Sequence, residues 1–134
     1  MTNSGNEAIV RAFFAGMGPT FTDFVATYEN FLTPDVHWES VGGTPHIGRN
    51  VCVEHLHELH HLGMEYCTIE VLNMASSGDV VLTERIDRMH RADGSPLFDF
   101  TFRIMGTFEL RDGKIARYTD YYDSLGFAKA SGRI

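Results

Sequence analysis

Phe98-Asp99-Phe100-Thr101-Phe102-Arg103-Ile104-Met105-Gly106-Thr107-Phe108-Glu109-Leu110 alternates apolar and polar residues with a period of two. Phe98, Phe100, Phe102, Ile104, Phe108 and Leu110 share one face, and Asp99, Thr101, Arg103, Thr107 and Glu109 share the other. A strand of this kind covers a core with one side only, so helices must close that side. Asp112-Gly113 follows directly and is a strong hairpin signal, with residues 115–123 as the returning strand. Working back, Ala92-Asp93-Gly94-Ser95 and Ser76-Ser77-Gly78-Asp79 are turns that frame strands over residues 80–90 and 64–74. The second half of the chain therefore reads as an antiparallel meander.

The first half supplies the helices. Ser4-x-x-Glu7 is a capping box ahead of Ile9, Val10, Phe13, Phe14 and Met17, and Gly16-Met17-Gly18-Pro19 stops that helix. A second helix starts near Thr20, runs through Phe24, Val25, Tyr28, Phe31 and Leu32, and ends at Pro34. Residues 36–41 form a short strand, broken by Gly42-Gly43-Thr44-Pro45. A third helix spans residues 50–62, with Asn50 as N-cap and Gly63 as the C′ residue. The tail from Ser124 adds a helical turn carrying Leu125 and Phe127. Helices first and a meander after predict an α+β fold with the helices on one side of the sheet.

The length of 134 residues fits one domain, residues 1–134. A net charge of −7 without any Lys/Arg cluster argues against a nucleic-acid partner, which needs a basic stripe. Cys52 and Cys67 lack any metal-ligand spacing and read as reduced thiols of a cytoplasmic protein. Polar Asn3, Asn6 and Glu7 near the start do not read as a signal peptide. No apolar run approaches the ~20 residues of a membrane span. There is no phosphate-binding glycine loop, nucleophile elbow or dinucleotide fingerprint, so no cofactor is expected.

Three constellations could carry chemistry. Arg85 and Asp87 lie two apart on one strand and face the same way; Asp120 lies on the last strand, flanked by Tyr118 and Tyr122. An arginine between two carboxylates favours the charged form of the one it holds best, while burial and repulsion raise the other. One can then act as base and the other as acid at a single pH, which is what epoxide opening requires. The alternative is a structural ion-pair cluster. Second, His57-Glu58-Leu59-His60-His61 matches H-E-x-x-H. On a helix whose buried face holds Cys52, Leu56, Leu59 and Gly63, His57 and His61 fall about 140° and 180° away. They face solvent, and no metal site is expected. Third, Trp38 and Ser40 share one face of a strand and His37 and Glu39 the other, where a solvated pair is the plainer reading.

The segments Val80–Asp87, Met105–Ile115 and Asp120-Tyr121-Tyr122-Asp123, in this order and spacing, resemble limonene-1,2-epoxide hydrolases. That family has the nuclear-transport-factor-2-like fold. The resemblance implies a strongly curved mixed, mostly antiparallel sheet, wrapped by three N-terminal helices into a cone with an internal pocket. It implies Asp120 as the base that activates water, Asp87 as the acid that protonates the epoxide oxygen, and Arg85 as their bridge. It aligns Trp38 and Ser40, through Gly48-Arg49, with the tyrosine and asparagine that hold the water in that family. Ser40 can still accept a hydrogen bond, whereas the Trp38 indole can only donate. It places Leu59, Met64, Tyr66, Met89, Phe102, Ile104, Tyr122 and Phe127 in the pocket wall. The implied substrate is a small, mostly apolar epoxide, with no cofactor, no membrane partner and a homodimeric state. Two other functions stay open: a cyclase, isomerase or dehydratase of polyketide- or steroid-like molecules on the same cone, and a non-enzymatic binding module.

Overall fold

The computed structural model describes residues 3–134, with side chains from residue 5. Three helices alternate with the first strands: α1 (Asn3–Ala15), α2 (Phe21–Phe31), β1 (Leu32–Ser40), β2 (His46–Ile47) and α3 (Arg49–His61). The meander follows as β3 (Tyr66–Ser77), β4 (Val80–His90), β5 (Phe102–Arg111) and β6 (Lys114–Tyr121), then α4 (Ser124–Ala130) closes the chain. The six strands make one sheet in the order β2-β1-β6-β5-β4-β3. Only β1 and β6 run parallel, so the sheet is mixed and mostly antiparallel, as expected. Register shifts interrupt β1/β6, β3/β4 and β5/β6, and such bulges bend a sheet locally.

The helices cover one face. Val10, Phe13 and Phe14 of α1, Phe24 and Tyr28 of α2, and Cys52 and Leu56 of α3 pack with Val81, Phe108, Leu110, Ile115 and Tyr118 of the sheet. A second, smaller cluster of Phe102, Ile104 and Phe127 sits where α4 folds back. A cavity lined by residues of both clusters lies between them.

Local chemistry sets the boundaries. Thr20 and Asp23 form a reciprocal capping box at the start of α2. α3 ends in a Schellman motif: Met64 N–H reaches the Leu59 carbonyl at 3.1 Å and Gly63 N–H that of His60 at 2.9 Å, with Gly63 at φ +112°. Asp112 (φ 53°) and Gly113 (φ 77°) both adopt positive φ, the signature of a type I′ hairpin.

Several expectations are corrected. α1 already includes Asn3, so Ser4 lies inside it rather than ahead of it, and the Glu7 carboxylate accepts the Ser76 hydroxyl. Asn50 is likewise inside α3; Gly48, at φ +95°, precedes the helix without a side-chain cap. Pro34 does not separate helix from strand: α2 passes directly into β1, and Pro34 lies in the irregular stretch between the Leu32↔Ile115 and His37↔Arg117 pairs. β2, only two residues long, has no sequence signature. β3 starts two residues late because Met64 completes the α3 cap, and it runs on because Ser76 and Ser77 pair with Val81 and Val80. Residues 98–101 are irregular despite their alternation, with bends at Phe98 and Asp99, and the regular strand starts at Phe102. β6 stops at Tyr121 because Asp123 caps α4, accepting the Gly126 N–H.

Candidate functional site

Arg85 and Asp87 stand on β4 and Asp120 on β6, with β5 between them. Reaching from one outer strand to the other requires a gap in the middle one, and Gly106 provides it. Its backbone pairs with Thr83 on one side and Asp120 on the other. A Cβ there would collide with Arg85 Nη1 and stand 2.6 Å from Asp120 Oδ1. The guanidinium therefore crosses β5 over a residue with no side chain.

Arg85 is fully buried. Its Nε donates to Asp87 Oδ1 at 2.9 Å, and Nη2 donates to Asp87 Oδ2 at 3.2 Å and to Asp120 Oδ1 at 2.7 Å. Nη1 donates to Thr83 Oγ1 at 2.9 Å, and that hydroxyl donates onward to the Gly106 carbonyl at 3.2 Å. The Phe14 and Phe108 rings lie 5.1 and 5.7 Å from the guanidinium carbon. Asp120 is 5% exposed, and its second oxygen, Oδ2, has no hydrogen-bond partner among the described residues.

The electrostatics follow from burial. Burial pushes the Asp120 carboxyl up to about 6, against the pull of Arg85 and with some help from the charge on Asp87. Asp87 is also raised by burial, again opposed by Arg85. Burial works against the charge on Arg85, but Asp120 and Asp87 outweigh it and keep the guanidinium ionised. Two carboxylates against one guanidinium leave an excess negative charge, so a buried cluster of this kind favours holding one proton between its two acids.

Asp87 and Asp120 open onto a cavity of about 310 Å³, at the lower end of the roughly 300–1,000 Å³ found for ligand pockets. Trp38, Ser40 and all the expected wall residues except Tyr66 line it. Tyr66 instead stacks on His90, 4.5 Å between ring centres, and packs against Gly18. Trp38 is 8% exposed, stacked on Tyr118 at 5.6 Å and set edge-on to Tyr28 at 5.2 Å. Its indole nitrogen is buried without a hydrogen-bond partner. His37 and Glu39, of opposite parity on β1, are not part of the cavity.

The sequence reading passed over several cavity residues. Helical periodicity marks Tyr28 of α2 only as a member of its helix; the signal for more is its hydroxyl, which needs a partner when buried. Its phenol lies within hydrogen-bonding reach of that of Tyr118. His46 and His55, stacked at 4.1 Å, and Arg133, which lies over the Phe127 ring at 5.1 Å, also border the cavity. They come from a two-residue strand, a helix flank and the chain end, where no periodicity points to them.

His57 and His61 are exposed on the outward side of α3, as the helical step places them. The His60 ring stacks on Phe21 at 3.9 Å and its Nδ1 meets the Met64 carbonyl at 2.8 Å. Cys52 and Cys67 are buried, unbridged thiols; burial pushes Cys52 up to about 11 and Cys67 higher still. No helix among the described residues is long and apolar enough to cross a membrane.

A family model described as SnoaL-like domain matches residues 10–118. Among solved structures, an LEH-like epoxide hydrolase of M. tuberculosis is similar at 24% identity and a TM-score of 0.76, over 98% of this chain and 92% of that one. An NTF2-like protein of Burkholderia pseudomallei is similar at 14% identity and a TM-score of 0.76, over 97% and 98%. A protein described as a SnoaL-like polyketide cyclase, from Jannaschia sp., is similar at 15% identity and a TM-score of 0.76, over 96% and 92%. At these identities the likeness is one of fold.

Proposed function

The chain belongs to the SnoaL-like domain family, with a nuclear-transport-factor-2-like fold, and from that premise we propose that it hydrolyses a small, mostly apolar epoxide with Asp120, Arg85 and Asp87. The observation that carries this reading is the buried Asp87–Arg85–Asp120 bridge at the wall of an apolar cavity, with one oxygen of Asp120 left unpartnered. A purely structural ion pair gains nothing from a spare carboxylate oxygen facing a cavity; a general base needs one.

The reaction proceeds in one step. Ionised Asp120 takes a proton from water as the water oxygen bonds to an oxirane carbon. The carbon–oxygen bond of the ring breaks, and the released oxygen takes the proton held by Asp87. Water has been added, Asp120 is protonated, Asp87 is ionised, and one proton transfer between the acids resets the site. The Arg85 fork closes on both oxygens of Asp87, so in the free protein the negative charge rests better there. An oxirane oxygen against Asp87 accepts a hydrogen bond only from its neutral form, and this draws the shared proton to that side.

The test is a panel of terpene, cyclohexene and styrene-type epoxides with detection of diols. Diol formation by the wild type and its loss in Asp120→Asn support the reading; no diol from any of the panel contradicts it. The alternative is a cyclase, isomerase or dehydratase, and one feature favours it. Trp38 fills the cavity wall with a large ring whose only polar atom is an unpartnered donor. The proposal includes a cytoplasmic homodimer.

A further inference from the structure

Resting on the hydrolase reading, we propose that the attacking water is held by the Tyr122 phenol and the Ser40 hydroxyl beside Asp120. Trp38 cannot do this. Its only polar atom, the indole N–H, is buried out of contact with solvent. Tyr28 and Tyr118 lie within reach of each other, and both are buried against the Trp38 ring.

Three placements support the assignment. β1 and β6 run parallel with Ser40 beside Asp120, and the Val41 N–H bonds the Asp120 carbonyl at 3.0 Å, which fixes the two side chains next to each other. Tyr122 follows Asp120 by two residues, just beyond the end of β6, and lines the same cavity. Its ring is set by Phe102 and Phe127, at 5.6 and 6.3 Å between centres. The Ser40 hydroxyl is a hydrogen-bonding neighbour of the Tyr122 phenol, and burial keeps that phenol in its neutral form, the Asp120 charge adding to the effect.

The hydrogen bonds close into a ring. Ser40 O–H donates to Tyr122 Oη, and Tyr122 O–H donates to the water. The water donates one hydrogen to Asp120 Oδ2 and the other to Ser40 Oγ. Three of its four hydrogen-bonding positions are then fixed, and the remaining lone pair faces the epoxide carbon. As Asp120 takes its proton, that lone pair forms the new carbon–oxygen bond and the ring oxygen leaves with the proton from Asp87. Positioning of this kind matters because a misplaced reactant can cost about 100-fold in rate.

Tyr122→Phe keeps the ring and removes the oxygen. We expect kcat for diol formation to fall about 10- to 100-fold, with KM changed by less than about threefold and an unaltered melting temperature. Ser40→Ala should lower kcat in the same sense, and Ser40→Thr, which restores a hydroxyl, should recover most of it. If the wild type turns over an epoxide but Tyr122→Phe keeps its kcat, or changes only KM, the water site is wrong and the hydrolase reading stands. If the wild type forms no diol, it is the hydrolase reading that fails. Should Tyr122→Phe not fold, the contrast between Ser40→Ala and Ser40→Thr decides: equal rates in the two overturn the assignment.

Discussion

Asp120 keeps a free oxygen in a place where a charge is costly, and its behaviour with pH should show it. Its carboxyl is raised from 3.8 to about 6, and only the ionised form can take a proton from water. With Asp87 ionised as well, however, the site has no proton to give the oxirane oxygen, so the productive state is the one holding a single proton between the two acids: kcat/KM on the best epoxide should fall as pH rises through about 6, and a profile flat from pH 5 to 7 would contradict the shared-proton mechanism. The same shift has a consequence for stability. A folded pKa above the unfolded one means that the protonated form stabilises the fold; this contribution is complete below 3.8 and is lost as pH rises through about 6. Asp120→Asn has no such loss. Its melting temperature relative to wild type should move in the variant's favour between pH 4 and pH 7, while its activity falls by about 10²–10⁴-fold. Arg85→Lys should fail as well, since an ammonium cannot hold Asp87 by two bonds and still reach Asp120. The three charges were legible in the sequence because strand parity puts Arg85 and Asp87 on one face and tyrosines around Asp120. Gly106 was not, because alternation records which side chains share a face and says nothing of a residue whose missing side chain lets another cross.

At the scale of elements, Gly106 makes β5 the spacer of the site. Gly106→Ala should push Arg85 and Asp120 apart, lowering both the melting temperature and diol formation, the latter by about 100-fold if the acids are displaced by an ångström. Thr107→Ala, one residue along and on the other face, should do neither. α3 should prove catalytically silent on its outer side. His57→Ala with His61→Ala should retain wild-type activity, before and after exhaustive chelation; stoichiometric zinc lost together with activity would contradict the placement of those rings. Most elements were legible from period and punctuation: the Gly63 cap, the Thr20 start and the Asp112-Gly113 hairpin each depend on one local preference. The misses share a cause. Residues 98–101 alternate as a strand does but are irregular, since Leu97 N–H bonds the Met89 carbonyl and Pro96 bridges to His90. Tertiary pairing overrides the local pattern there, as it does at Pro34.

At the scale of the whole molecule, the helices leave one face of the sheet uncovered. Leu82, Met105 and Tyr121 are each about half exposed, with Met105 paired to Tyr121 across β5 and β6. On the homodimer proposal, light scattering should give a mass near twice 15.1 kDa, and Leu82→Glu with Met105→Glu should give a folded monomer. A wild-type monomer would remove the dimer and leave the site untouched, since no residue of the bridge lies on that face. The central claim concerns the source of one oxygen atom. Wild-type protein should be incubated with its best epoxide in water enriched in oxygen-18, under single-turnover conditions, and the product mass read. Hydrolysis by the Asp87–Arg85–Asp120 bridge predicts a diol carrying one solvent oxygen, formed by wild type and not by Asp120→Asn. A product of unchanged formula, cyclised or isomerised without solvent oxygen, would contradict it and assign the same three residues to another reaction.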